Sequence, residues 1–190
     1  MQGYVLVVEG LDGLFDPESL DARIVQNAVR AINKTAARTR TRSDRDMRQR
    51  IMFPARYLSN RLRVSRTASR SSLEAVITGR DSPTSLARFS ATRNPKAARK
   101  AGGVTVTVAP GSTKFMRNAF LLPLRGGNLG LATRLKPGES LNKRYMRRMN
   151  NGLYLLYGPS VDQVFRNVAD NETDEALDYL EREFVRLMDL

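Results

Sequence analysis

Between Asp16 and Phe53 the apolar residues first recur every fourth position and then give way to arginine, a pattern that limits the fold more than any other stretch. Leu20, Ile24, Ala28, Ile32 and Ala36, widened by Val25 and Val29, fall on one helical face, so a helix with that face buried is expected. Asp16-Pro17-Glu18 supplies its start. The aspartate accepts from free backbone N–H groups, proline suits the first helical position, and glutamate favours the positive end of the dipole. Further on stand Arg38, Arg40, Arg42, Arg45, Arg48 and Arg50, with a second cap signal at Ser43-Asp44-Arg45-Asp46. The expectation is a break near Arg42, a short helix to Ile51 ended by Pro54, and arginines presented away from the core.

Charge adds direction to that pattern. The chain carries +13 over 190 residues, which suits a negatively charged partner such as nucleic acid, an anionic membrane or an acidic protein surface. Residues 1–29 sum to −4, 30–100 to +15, 101–169 to +8 and 170–190 to −6. Read along the sequence, the chain is basic in the middle and acidic at both ends, an arrangement suited to head-to-tail self-association or stacking between unlike neighbours.

Absences narrow the function. Without cysteine there is no disulfide framework, thiol nucleophile or thiolate metal site, and without histidine the commonest general base and metal ligand is missing. No G-x-S-x-G elbow arranges a serine for attack. No enzyme, cofactor or metal is therefore expected. Neither a secretory signal nor an apolar run long enough to span a membrane is visible, so a soluble protein of a reducing compartment is expected.

The rest of the chain alternates strand and helix signals. Tyr4–Val8, Arg61–Arg66, Leu73–Thr78, Gly103–Val108, Phe115–Leu124, Asn128–Thr133 and Leu153–Tyr157 read as strands. Ser160-Val161-Asp162-Gln163 has capping-box spacing and opens a helix to about Val168, and a last helix from Thr173 carries Leu177, Leu180, Phe184 and Leu187. Two basic stretches, 92–103 with Lys96, Arg99 and Lys100, and 136–152 with Lys143, Arg144, Arg147 and Arg148, read as mobile loops. The fold class is thus α+β in one domain, residues 1–190. A long N-terminal helix lies against an antiparallel β-sheet or small barrel, and two C-terminal helices follow.

Sharper readings meet simpler ones. Gly126-Gly127 with Gly130 lacks the lysine and hydroxyl residue of a P-loop. Tyr154 and Tyr157, set among leucines, read as core rather than as base-stacking platforms. A charge run is commonly a solvated face, but a +15 segment holding four acids repels itself unless something neutralises it.

Ala31–Ala36 with the arginine row, Leu73–Arg80 with Pro83–Phe89, and Leu156–Val161 together resemble the minor tail protein Z family of tailed bacteriophages, the tail-completion proteins of lambda-like phages. The likeness runs from about Ala31 to Phe184. It implies a non-enzymatic virion protein, assembled in the host cytoplasm, that finishes the head-proximal end of the tail at the head–tail junction as a ring of six. Its implied partners are further copies of itself, a head-completion or connector protein, a tail terminator or tube protein, the tape measure protein and the double-stranded DNA of the channel. On that reading Arg38, Arg40, Arg42, Arg45 and Arg48 face DNA or acidic neighbours, and Glu181, Glu183, Phe184, Leu187 and Asp189 form a partner interface. The alternative is a free basic nucleic-acid-binding protein whose arginine row tracks phosphates.

Overall fold

The computed structural model describes residues 4–6, 21–135, 145–149 and 152–189. The elements in chain order are β1 (Tyr4–Leu6), α1 (Ala22–Arg50), α2 (Ala55–Ser59), β2 (Leu62–Arg66), β3 (Ala75–Gly79), β4 (Thr84–Ser85), α3 (Pro95–Lys100), β5 (Gly103–Ala109), β6 (Ser112–Arg117), β7 (Phe120–Pro123), β8 (Leu129–Arg134), β9 (Met146–Arg148), β10 (Leu153–Gly158) and α4 (Val161–Met188). Short 3-10 turns cover Leu86–Phe89 and Arg125–Gly127. The fold is α+β. Two compact units emerge, one of Met1–Met47, Ser59–Asp81 and Asp162–Leu190, the other of Arg48–Leu58 and Ser82–Val161.

In the first unit, α1 buries the stripe expected of it: Val25, Ile32 and Ala36 are buried, and Ile24, Ala28 and Val29 half-buried. Ile32 and Ala36 meet Ala68 and Ala75, with Val29, Val64, Leu73 and Leu180 packed around them. Beside this core lies an antiparallel sheet in the order β1-β3-β2. Asn33 ties the helix to the loop after β2, donating to the Ala68 carbonyl at 3.0 Å and accepting from its N–H at 2.8 Å.

The expected helix boundaries need correction. The described helix starts one turn later than proposed, with Asp21 accepting from the Arg23 N–H at 2.8 Å; Asp16–Leu20 lie outside the described residues. No break occurs at Arg42. The Ser43 hydroxyl is buried without a hydrogen-bond partner instead of capping, and Arg40 and Asp44 pair across one turn at 3.8 Å. Nor does the second half leave the core, since Thr39, Ser43, Asp44 and Met47 are all buried. α1 stops at Arg50, and Pro54 opens α2 by accepting from Tyr57 and Leu58. One C-terminal helix stands where two were expected. α4 starts after Ser160 as its capping signal implied, but the Thr173 hydroxyl bonds back to the Ala169 carbonyl at 3.2 Å and so starts no new helix.

The second unit holds a five-stranded antiparallel sheet. β10 pairs β8 along one edge, with β7 beyond, and β4 and β9 along the other; β5 and β6 form a separate hairpin. No closed barrel forms among the described strands. Val104, Val106, Leu121, Leu131 and Leu156 fill its core with Ala87 and Ala98. The expected strand Phe115–Leu124 is two strands, because Asn118 takes a left-handed φ of 62° between them.

Both basic stretches hold regular structure where described. In 92–103 the Asn94 side chain accepts from the Lys96 and Ala97 N–H groups, Pro95 takes the first turn, and α3 anchors itself through fully buried Ala98. In 136–152, Met146–Arg148 forms β9 on β10, while residues 136–144, 150 and 151 lie outside the described residues.

Candidate interaction surfaces

α1 and α4 run antiparallel in the first unit along a charged seam. Asn27 donates to the Leu187 carbonyl at 2.8 Å. Further along α1, Lys34 meets Glu183 at 2.8 Å, and Arg186 reaches the same carboxylate at 2.6 Å. Arg38 lies 4.5 Å above the Tyr179 ring and 3.8 Å from Glu175. Arg42 donates to Glu172 at 2.8 Å and also pairs with Glu175. Arg40 points elsewhere, to the carbonyls of Leu62 at 3.0 Å and Ser59 at 3.2 Å.

This geometry divides the arginine row. A helix advances about 100° per residue, so Arg38 and Arg42 share a side with Lys34 while Arg40 lies nearly opposite. Arg38, Arg40 and Arg42 are thus engaged by their own chain, and the side chains of Arg38, Arg45 and Arg48 are exposed. The acids respond to the seam. Hydrogen bonds from Arg186 and then Lys34 hold the Glu183 carboxyl down at about 2, and the bonds to Glu183 raise Arg186 and Lys34. Burial first, then a hydrogen bond with Asp46, raises Glu172 against the lowering pull of Arg42.

The expected interface residues also separate. Glu183 is buried in the seam, Phe184 and Leu187 are half-buried, and Glu181 and Asp189 are exposed. The α4 stripe is shifted from the proposed one: Val164, Phe165, Val168, Ala169 and Ala176 are buried, but Leu177 is 43% exposed. Leu177 and Val185, 51% exposed, flank Glu181 on the outer face. Lys96, Arg99, Lys100, Arg147 and Arg148 are exposed, and Lys143 and Arg144 lie outside the described residues. Glu172, Glu175 and Tyr179 were not among the expected site residues. Their signal was available, because carboxylates at 172, 175 and 183 repeat at helical spacing against Lys34, Arg38 and Arg42.

Comparison with known proteins decides the family. The profile of the prophage minor tail protein Z family matches residues 10–188. The chain belongs to this family. No curated protein and no solved structure matches it. As a minor tail protein it has a structural role in the phage tail. No described helix of this minor tail protein is long and apolar enough to cross a membrane.

Charge in this family member is sorted by unit. The first unit holds fifteen Lys and Arg against eighteen Asp and Glu, −3, and the second seventeen against one, +16. The acidic end of the sequence thus sits in the same unit as Arg38, Arg40, Arg42 and Arg45, leaving the second unit with one acid against its seventeen bases.

Proposed function

We propose that this minor tail protein completes the head-proximal end of the tail, assembling there as a ring of six that joins the tail to the DNA-filled head. The observation that carries this is the sorting of charge into a −3 and a +16 unit, in a chain of a phage tail family. A subunit whose parts differ this strongly favours a head-to-tail contact, in which unlike surfaces of successive copies meet and rotation closes the ring. The exposed face of α4 around Leu177, Glu181 and Val185 is the acidic, partly apolar side of that contact, and the second unit of the next copy is the basic side. Glu183 is internal structure on this reading, and Glu181 and Asp189 carry the contact instead.

The neighbours along the tail axis are a head-completion or connector protein on one side and the tail terminator or tube protein on the other, with the tape measure protein and channel DNA within reach of the ring. The subunit is made in the host cytoplasm and ends in the virion at the head–tail junction. Glu181→Lys with Val185→Asp is expected to leave the circular dichroism spectrum unchanged, to abolish the ring by native mass spectrometry, and to yield tails that fail to join heads. A double variant that still forms rings and infectious particles overturns this assignment of the contact.

A further inference from the structure

The second unit contains a recess of about 110 Å³ lined by Ala87, Arg88, Arg93, Gly127, Asn128 and Leu129. Two arginines from different segments line it. Arg88 lies 4.3 Å over the ring of Tyr57, which is 7% exposed and whose hydroxyl is 3.2 Å from that of Thr84. A guanidinium stacked on a fixed ring is held in place before any ligand arrives. Arg93 sits in a segment fixed by local turns, with Ser90 accepting from the Thr92 N–H at 3.3 Å and Thr92 accepting from the Asn94 N–H at 3.2 Å. Gly127 of the lining follows Gly126 in a backbone turn, each with φ of 73°, a conformation that glycine adopts without strain. Among the described residues no carboxylate pairs with Arg88 or Arg93, and the one acid of this unit, Glu139, lies outside the described residues.

We infer that this recess is a phosphate site and that its occupant is a backbone phosphate of duplex DNA. Two arginines lining one small hollow suit an anion with enough oxygens for both. A phosphodiester spreads one charge over two non-bridging oxygens, each with lone pairs for a guanidinium. The surroundings select a polymer over a free anion. One inorganic phosphate offsets about two of the unit's sixteen excess charges, while duplex DNA presents one charge per about 1.7 Å along its axis and engages many basic groups at once. The positive surface that meets DNA therefore lies on the second unit and not on Arg38 and Arg42 of α1, whose charge α4 answers.

This extends the proposed role but rests on it only for the source of the DNA, and the test uses the full chain free of tails and heads. Binding of a short labelled duplex is measured by fluorescence anisotropy over a salt series, for the wild type, for Arg88→Gln with Arg93→Gln, and for Arg38→Gln as a control outside the site. Loss of one phosphate contact is expected to reduce the slope of log affinity against log salt by about 0.9 and to weaken binding about three- to tenfold at low salt. Arg38→Gln should leave the slope unchanged. Wild-type binding by the double variant overturns the site, and polyglutamate competing as well as DNA at equal charge overturns its occupant. Thermal melts check folding; should the double variant unfold, Arg93→Gln alone decides, since Arg93 is exposed. Ring formation is read separately by light scattering, so DNA binding without rings, or rings without DNA binding, identifies which of the two readings fails.

Discussion

Glu183 and Glu172 lie on the same helix face, yet their surroundings drive them in opposite directions. The Glu183 carboxyl falls from the usual 4.5 to about 2 because Arg186 and Lys34 donate to its ionised form. A depressed carboxylate contributes stability that is present above its unfolded value and is lost as the pH falls from about 4.5 towards 2. Glu183→Gln should therefore lower the melting temperature at neutral pH and flatten the acid limb of a melting-temperature profile. An unchanged acid limb would assign that stability to other groups. Glu172 is raised, mainly by burial, so ionising it costs stability as the pH rises from its unfolded value through its folded one. Glu172→Gln still accepts from Arg42, and at neutral pH it should melt no lower than the wild type.

At the scale of elements, the seam explains why reversing the α1 arginines is not a test of surface charge. Arg42→Glu sets a further acid beside Glu172, Glu175 and Asp46, and the expected loss is about 2 kcal/mol, below that of a fully buried pair because Arg42 keeps 37% of its side chain exposed. Adding Glu175→Arg should return part of that loss, and denaturant melts of the double-mutant cycle read the difference. Two independent losses that simply add would mean that the helices do not meet through these charges. α3 depends on a different device. Asn94→Ala removes the acceptor for the Lys96 and Ala97 N–H groups and should cost about 1 kcal/mol, measured by the same melts.

At the scale of the whole molecule, the end of the chain is part of the fold of its unit. Deleting residues 185–190 removes Arg186 from Glu183 and the Leu187 carbonyl from Asn27. The truncated protein should lose cooperative unfolding of the first unit as well as any assembly, and a truncation that melts like the full chain would show the docking to be weak. The second unit, at +16, repels itself. Raising the salt from low to moderate concentration should therefore raise the melting temperature, because screening acts over about 10 Å at 0.1 M. A fall on adding salt would show that attractive pairs outweigh this repulsion.

Elements whose cause is local are legible in their own residues. The four-residue spacing of Ile24, Ala28, Ile32 and Ala36 carries α1, and the alternation at Leu62–Arg66 and Gly103–Val108 carries β2 and β5, because burial of one face imposes a period. The Ser160 signal marked where α4 begins. Even α3 was written locally in Asn94-Pro95, masked by a composition of Lys, Arg and Ala that reads as loop. Tertiary structure alone decided where partners lie far apart in the chain. Whether Ser43 caps a helix or is buried within one, whether Thr173 starts a helix or continues one, and whether Arg38 and Arg42 face outward or meet α4 all depend on residues more than 100 positions away or on a neighbouring face. Arg88 and Arg93 acquire a shared recess only when the Gly126-Gly127 turn is folded against them. Charge shows the difference most plainly: a sequence sum counts acids and bases by position, while neutralisation requires contact within a few ångströms, and folding chose those contacts.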